Sequence, residues 1–457
     1  MKSRQQKTPQ TLYFKAFKVC KKILFCLIKY KYYDKINYSL DYLKNEVPIM
    51  DYITRELERK FLKANSFFKA ILVTGARQVG KTTMLKHLAK GTNRTYVTLD
   101  NSMARDLAKR DPVLFFQTYK PPILIDEVQK APELFEQIKI MCDETEEKGL
   151  FWITGSQQYR MMKKIRDTLA GRLCILELYS LSQREKNKIT FDTELDFSLE
   201  TLKKRQMQVA KNDIVAVFDH IWEGGMPQVS QADDELRSEY FNSYVETYLM
   251  RDIADEGGIT DTVRFRKFLN ACAARVSEQV NYANLAEAAD ISQPTAKNWL
   301  KVLQGLGIVY LLEPYSNNAL QRLTKTPKLY FCDTGLCAYL SMWLTPQTLM
   351  QGAVSGHFYE NYVVMELVKN YSYARVKANI TYYRDSNAKE IDVFVEENNI
   401  IHPLEIKKSA NPNNREIKKY SVIDKASLNR GNGGIICMCE EPIPIDNDNC
   451  LIPSNLI

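Results

Sequence analysis

The chain has 457 residues, 45% of them apolar, which is enough for several domains with apolar cores of their own. Its formal net charge of +8 lies at one end, because residues 1–49 hold eleven Lys or Arg and three Asp or Glu. The rest balances at 52 basic and 52 acidic residues, so its overall charge cannot attract nucleic acid and only local patches could.

Cysteine and histidine usage argues against a disulfide-stapled or zinc-binding protein. The ten cysteines are scattered without a C-x-x-C pair, and the four histidines do not cluster with them. We therefore expect reduced thiols and a cytoplasmic protein.

The first 49 residues form a basic extension. Lysines interrupt its apolar residues, so no membrane span of ~20 residues is expected. The apolar run at 23–28 is too short for a signal-peptide core. A clearer helical pattern opens at Met50, and its apolar side is formed by Ile53, Leu57 and Phe61. We hypothesise that Met50 is the natural start. The alternatives for residues 1–49 are a basic arm or a membrane-surface helix.

Residues 75–82, Gly-Ala-Arg-Gln-Val-Gly-Lys-Thr, fit the pattern G-x-x-x-x-G-K-[ST] at every fixed position. An apolar strand precedes this loop and a helical stretch follows it, as phosphate binding at a helix N-terminus requires. A plain glycine turn is the alternative, which this context disfavours. Lys81 is predicted to reach the outer phosphates of ATP, and Thr82 to ligate Mg²⁺. The predicted nucleotide-binding residues are Gly75, Ala76, Arg77, Gln78, Val79, Gly80, Lys81, Thr82 and Thr83.

Two apolar strands that end in polar residues follow the loop. Residues 123–127 end in Asp126, predicted to hold Mg²⁺ through water, and Glu127, predicted to orient or deprotonate the attacking water. The strand at 150–155 leads to Ser156 and Gln157, either of which could sense the terminal phosphate. This order of elements predicts a nucleotide hydrolase on a doubly wound parallel sheet.

Beyond residue 180 the pattern becomes helical and charged, with a turn at 223–227. Tyr240, Tyr244 and Tyr248 form a stripe that is more typical of core packing than of a binding face, and Arg251 at its end is a weaker candidate for facing the nucleotide.

Residues 281–315 read as helix, turn, helix and strand, which resembles a winged helix. Ser292 is a predicted N-cap, and Pro294 lies early in the second helix. The unit either binds duplex DNA, with Lys297 and Lys301 as phosphate partners, or docks other parts of the protein.

A second set of polar residues lies near the C-terminus. Alternation along a strand places Glu405 and Lys407 on one face, and a hairpin could bring Asp392 beside them. Glu360, on a preceding helix, could add a third acid. Two carboxylates and a lysine suit a metal-assisted nuclease site, while a hairpin with solvated charges is the alternative.

Over nearly all of its length after residue 50, the chain resembles bacterial and archaeal AAA-type ATPases with a C-terminal restriction-endonuclease-like domain of unknown function. The motifs that carry this resemblance are residues 74–83, 125–129, 153–156, 169–172, 224–227, 248–253, 328–336, 390–392 and 404–407. Ser180 departs from the family's usual proline. The resemblance implies that Arg172 stabilises transition-state charge, in its own chain or a neighbouring subunit.

We therefore predict an α/β protein with five parts: a basic extension at 1–49, a P-loop ATPase core at 50–180, a helical lid at 181–260, a winged-helix-like unit at 261–325 and a nuclease-like domain at 326–457. ATP and Mg²⁺ are the expected cofactors. The predicted catalytic residues are Glu127, Lys81, Ser156 and Arg172. DNA and further copies of the chain are possible partners. The alternative is a nucleotide-gated switch or scaffold whose nuclease-like domain is inactive.

Overall fold

The computed structural model describes residues 52–155, 169–315, 326–375, 378–385, 389–425 and 428–457. Ser156 and Gln157 lie outside these ranges. Within them, no helix is both long enough and apolar enough to cross a membrane.

The N-terminal part is built on a five-stranded parallel sheet with the strand order β2-β3-β4-β1-β5. Its strands are β1 (Ala70–Thr74), β2 (Thr95–Thr98), β3 (Ile123–Asp126), β4 (Phe151–Thr154) and β5 (Leu173–Glu177). Its helices are α1 (Leu57–Asn65), α2 (Lys81–Ala89), α3 (Ser102–Arg110), α4 (Pro112–Thr118) and α5 (Leu134–Asp143). Strands β1, β3 and β4 are wholly buried, which explains their continuous apolar runs.

Alternate side chains of β1 pack into two different apolar cores, one on each face of the sheet. Ile71 and Val73 join the core on one face of the sheet, and Ala70 and Leu72 join the core on the other. This arrangement, with helices on both faces of a parallel sheet, confirms the predicted α/β layering of the N-terminal part.

The chain begins α1 later than the sequence predicts. The helix starts at Leu57, and Ile53 precedes it in non-helical backbone, so the predicted helical start at Met50 is wrong for the described residues. The Glu56 backbone N–H and the Arg55 guanidinium both donate to Oε1 of Glu185, which anchors the segment before α1.

A helical region follows the first sheet. Its elements are α6 (Gln183–Lys186), α7 (Leu199–Gln206), α8 (Ile214–Glu223), α9 (Asp234–Ser243), a π-helical segment (Tyr244–Leu249) and α10 (Met250–Gly257). Next come α11 (Thr262–Ala273), α12 (Tyr282–Ala289), α13 (Gln293–Gly305) and the antiparallel strands β6 (Val309–Leu312) and β7 (Lys328–Phe331). As predicted, Ser292 caps α13 by accepting from the Thr295 N–H, and a proline lies in its first turn.

The C-terminal part is a mixed sheet with the order β13-β14-β12-β10-β9-β8, and β11 pairs with β10. Its strands are β8 (Asn379–Arg384), β9 (Glu390–Glu397), β10 (Ile400–Lys407), β11 (Asn429–Arg430), β12 (Gly433–Cys437), β13 (Ile443–Pro444) and β14 (Asn449–Pro453). Its helices, and those leading into it, are α14 (Thr334–Leu340), α15 (Pro346–Gln351), α16 (Ser355–Tyr373) and α17 (Ser421–Lys425).

The β9–β10 hairpin turns at Asn398 and Asn399, whose φ angles are 49° and 64°. Asparagine tolerates positive φ, and a two-residue hairpin loop with two such residues matches the twist of its strands. This turn fixes the register that brings the ends of β9 and β10 together.

Candidate functional site

The loop between β1 and α2 has the backbone that phosphate binding needs. Gly75 and Gly80 have φ angles of 142° and 96°, which other residues rarely adopt. A Cβ on Gly75 would lie 2.1 Å from the carbonyl oxygen of Leu178. The backbone angles therefore favour glycine at both positions, and Gly75 is also required by its close contact with the segment after β5.

Three predicted residues of the ATP site meet beside this loop. The Lys81 ammonium donates to the carbonyl oxygens of Gly75 and Ala76, at 3.0 and 2.7 Å. The Thr82 hydroxyl donates to Oδ1 of Asp126 at 2.6 Å, so the two expected Mg²⁺-associated oxygens are adjacent. This donor set of a hydroxyl and a carboxylate fits the hard cation Mg²⁺.

Asp126 and Glu127 are oriented by a residue to which the sequence assigned no role. The Thr154 hydroxyl, at the end of β4, donates to Oδ1 of Asp126 at 2.5 Å and accepts from the Glu127 N–H at 3.1 Å. Glu127 has a φ of 58°, and its carboxylate accepts from the Gln129 amide. Because parallel strands end at one edge, both acids lie at the same edge as the phosphate loop.

Tyr240 connects the helical region to the loop, and its hydroxyl donates to Oε1 of Gln78 at 2.6 Å. Tyr240 stacks on Tyr244, whose ring lies beside Tyr248, so the stripe packs along the helix as predicted and also reaches the phosphate loop. The stripe crosses a π-helical segment, a feature often found at functional sites.

Arg172 lies away from the phosphate loop of its own chain. It directly precedes β5, whose first residue pairs with Ala70 at the start of β1, whereas the loop follows the last residue of β1. Its guanidinium forms a two-point ion pair with Asp143. The structure thus does not support action within its own chain, because strand direction places Arg172 at the opposite edge of the sheet.

The structure brings together the predicted C-terminal residues. The Lys407 ammonium lies 3.0 Å from Oε2 of Glu405 and 3.5 Å from Oδ2 of Asp392, so both acids face the same lysine. Asp392 also accepts from the Ile406 backbone N–H at 2.8 Å. Lys419 adds a second ammonium, 3.1 Å from Oε2 of Glu405. Their role as metal ligands stays a prediction.

Glu360 reaches this cluster from α16 together with two residues that had no predicted role. Its Oε1 lies 3.0 Å from the Lys328 ammonium and accepts from the Tyr330 hydroxyl at 2.7 Å. Lys328 also lies 2.7 Å from Oε1 of Glu390 and 4.0 Å from Oδ1 of Asp392. Lys328 and Tyr330 lie in the motif at 328–336, one of those that carry the family resemblance. That motif was the only sequence feature that pointed to these two residues.

Burial sets the electrostatics of this cluster. Glu405 is fully buried, and its Oε1 has no hydrogen-bond partner in the described structure. Burial, together with the neighbouring charge of Asp392, raises the pKa of Glu405 to about 7, although Lys407 and Lys419 oppose the shift. Burial likewise raises the pKa of Glu360. The orphaned carboxylate oxygen fits a cation, but no three His, Cys, Asp or Glu of the described ranges are grouped as a ligand set.

On α13, the predicted DNA-contacting residues Lys297 and Lys301 are exposed, and they lie one helical turn apart. They therefore share one accessible face of the helix.

Family comparisons divide the chain into three regions. A model described as an AAA domain matches residues 67–187. Two others, each described as a domain of unknown function, match residues 215–347 and 355–457. The AAA match, the parallel sheet and the phosphate loop together support a P-loop ATPase domain of the AAA type, with ATP binding, in the N-terminal part of the chain.

An uncharacterized protein of Mycobacterium tuberculosis is 26% identical over 391 residues, or 85% of this chain and 80% of that one. One of Haemophilus influenzae is 23% identical over 189 residues, or 40% of this chain and 44% of that one. Among solved structures, a Walker-type ATPase of Pyrococcus abyssi is similar at 13% identity and a TM-score of 0.40, covering 64% of this chain and 96% of that one.

Proposed function

We propose that the protein is a Mg²⁺-dependent ATP hydrolase that couples its nucleotide state to a DNA-binding, nuclease-like C-terminal region. The observation that carries the hydrolase assignment is the shared contact of Thr82 and Thr154 with Asp126, directly beside Glu127. This arrangement supports a metal-binding acid and a separate water-orienting acid at the edge of the sheet where the phosphate loop lies.

Each residue of the ATP site has a distinct proposed role. Lys81 neutralises the charge of the outer phosphates. To reach them, its ammonium gives up its hydrogen bonds to the carbonyl oxygens of the loop. Thr82 and Asp126 hold Mg²⁺, which when bound stabilises the charge of the phosphoryl group. Glu127 orients the attacking water or accepts its proton. Ser156 is proposed to sense the terminal phosphate, and Arg172 to act on the nucleotide of a neighbouring copy in a homo-oligomer.

Helix α16 supports coupling between the two sites. Glu360 lies in the first half of this helix. The second half of the helix contacts the segment after β5 through three hydrogen bonds. These run from the Gln183 N–H to Glu366, from Lys369 to the Leu181 carbonyl, and from the Tyr179 N–H to the Tyr373 hydroxyl. Because Leu178 contacts Gly75, one continuous set of contacts links the phosphate loop to the acids of the second site.

Two features support a restriction-endonuclease-like C-terminal site. Asp392, Glu405 and Lys407 converge at the end of a hairpin, and the unpartnered Oε1 of Glu405 offers a ligand to a divalent cation. Asp392 and Glu405 would hold the cation, Lys407 would act beside it, and the exposed Lys297 and Lys301 would contact DNA phosphates. We propose a cytoplasmic location for this activity.

A specific observation favours the alternative of a switch or scaffold that cuts nothing. Three lysines already neutralise the cluster internally, so the acids are compensated without a metal. Cleavage of linear duplex and single-stranded DNA, assayed with Mg²⁺ or Mn²⁺ and with and without ATP, separates the two functions. Cleavage that Asp392→Ala abolishes supports the nuclease. ATP hydrolysis without cleavage by the wild-type chain supports the switch.

A further inference from the structure

Lys328 is the most enclosed cation of the C-terminal cluster. Its side chain is 5% exposed, and its ammonium faces three carboxylates, those of Glu360, Glu390 and Asp392. Glu390 has a second partner in Arg384, at 3.0 Å, while Asp392 is one of the two acids of the proposed cation site.

Lys328 comes from a different part of the fold than the acids it contacts. It opens β7, which pairs antiparallel with β6, the strand that follows the exposed helix α13. Backbone contacts also tie this strand to the segment before α12, since the Val280 N–H donates to the Pro327 carbonyl and the Leu329 N–H to the Glu278 carbonyl. The acids lie on α16 and β9, and β7 is also bound directly to α16, because the Asn361 side chain hydrogen-bonds both the N–H and the carbonyl oxygen of Phe331.

A buried ammonium and a divalent ion compete for the same carboxylates. At short range and low dielectric, each repels the other, while the acids attract both. Removing a buried cation from its acids leaves uncompensated negative charge, which is strongly unfavourable unless another cation takes its place. The cation site and Lys328 therefore exclude one another in part.

We propose that Lys328 is a built-in counter-cation that lowers the affinity of the Asp392–Glu405 site for divalent ions. This inference rests on the proposed metal site.

The test is calorimetric titration of Mn²⁺ into the full chain, without nucleotide, for the wild type and for Lys328→Met and Lys328→Gln. We expect both variants to bind Mn²⁺ at least about tenfold more tightly than the wild type, because a cation facing the ligands is removed. Adding Asp392→Ala to either variant should abolish the gain. The control, Lys109→Met, removes an exposed lysine from α3 and should leave Mn²⁺ affinity unchanged.

Thermal unfolding provides the second readout. Lys328→Met should melt at a lower temperature than the wild type in a chelator, and saturating Mn²⁺ should raise its midpoint more than that of the wild type. If the wild type binds Mn²⁺ through Asp392 and neither Lys328 variant binds it more tightly, the counter-cation inference is wrong and the metal site stands. If no chain shows Asp392-dependent binding, both the site and the inference fail.

Discussion

The Tyr240 hydroxyl donates a 2.6 Å hydrogen bond to the side-chain oxygen of Gln78, joining the helical region to the phosphate loop. Gln78 has a φ of 62°, so its side chain projects from a loop position that few residues adopt. This hydrogen bond is therefore a direct contact through which a change of the loop on nucleotide binding would act on α9.

Tyr240→Phe should weaken ATP binding about two- to tenfold, the factor expected for one hydrogen bond of about 0.5–1.5 kcal/mol. The ring stays, so its stacking on Tyr244 is kept. Titration with a fluorescent ATP analogue measures the effect. Tyr248→Phe, which removes a hydroxyl from the same stripe, serves as control and should bind like the wild type. Equal affinities for all three chains would show that the Gln78 contact does not position the loop.

The parts that were predicted correctly rest on signals within short stretches of chain. The phosphate loop needs two glycines at fixed spacing between a strand and a helix, and the C-terminal hairpin needs two asparagines between alternating strands. The N-cap at Ser292 is likewise a local choice of side chain. Such features depend on a few neighbours, so residue order alone specifies them.

What the sequence did not reveal depends on contacts between distant segments. Lys328 meets Glu390 only after β7 and the C-terminal sheet pack together, and Arg55 meets Glu185 across the ATPase region. The hypothesis that Arg172 acts on the nucleotide of its own chain came from the family resemblance. It did not consider at which edge of the sheet Arg172 lies.

Lys81→Ala should abolish ATP binding or turnover, because it removes the charge that faces the outer phosphates. Glu127→Gln should keep binding and lower the hydrolysis rate by about 10²–10⁴, the usual cost of losing a positioned base. A coupled phosphate-release assay together with equilibrium binding checks both variants. Wild-type hydrolysis by Glu127→Gln would exclude Glu127 as the water-orienting acid.

Asp333 should be essential for joining the helical region to the C-terminal part. Its Oδ2 accepts from the Gly225 N–H at 2.8 Å, while its Oδ1 caps α14 through the Leu336 N–H at 3.0 Å. Asp333→Ala leaves two buried donors unsatisfied, so we expect the free energy of unfolding to fall by about 2–4 kcal/mol. Chemical denaturation measures this. Asp333→Asn keeps the oxygen that caps α14, so its free energy of unfolding should fall by about half as much as that of Asp333→Ala.

Glu56 should make stability depend on pH at the contact between the ATPase core and α16. Burial raises its pKa from an ordinary 4.5 to about 7. Arg184, which donates to its carboxylate at 2.6 Å, and Arg205 oppose the shift, whereas Glu185 and Glu366 add to it. The folded chain therefore holds this proton more tightly than the unfolded chain does. Its contribution to stability is present below pH 4.5 and is lost as the pH rises to 7.

Glu56→Gln mimics the protonated side chain and keeps an oxygen for Arg184. We expect the variant to match the wild type at pH 4.5 and to exceed its stability at pH 8, by at most about 3 kcal/mol for a shift of that size. Denaturant titrations at the two pH values give the difference in the free energy of unfolding between variant and wild type. Contributions from the other titrating groups are the same in both chains and cancel in this difference. Glu200→Gln, a change at an exposed acid on α7, is the control and should alter the free energy of unfolding by no more than about 0.5 kcal/mol at either pH value. A Glu56→Gln chain that is less stable than the wild type at pH 8 would mean that the ion pair with Arg184 outweighs the burial of the carboxylate.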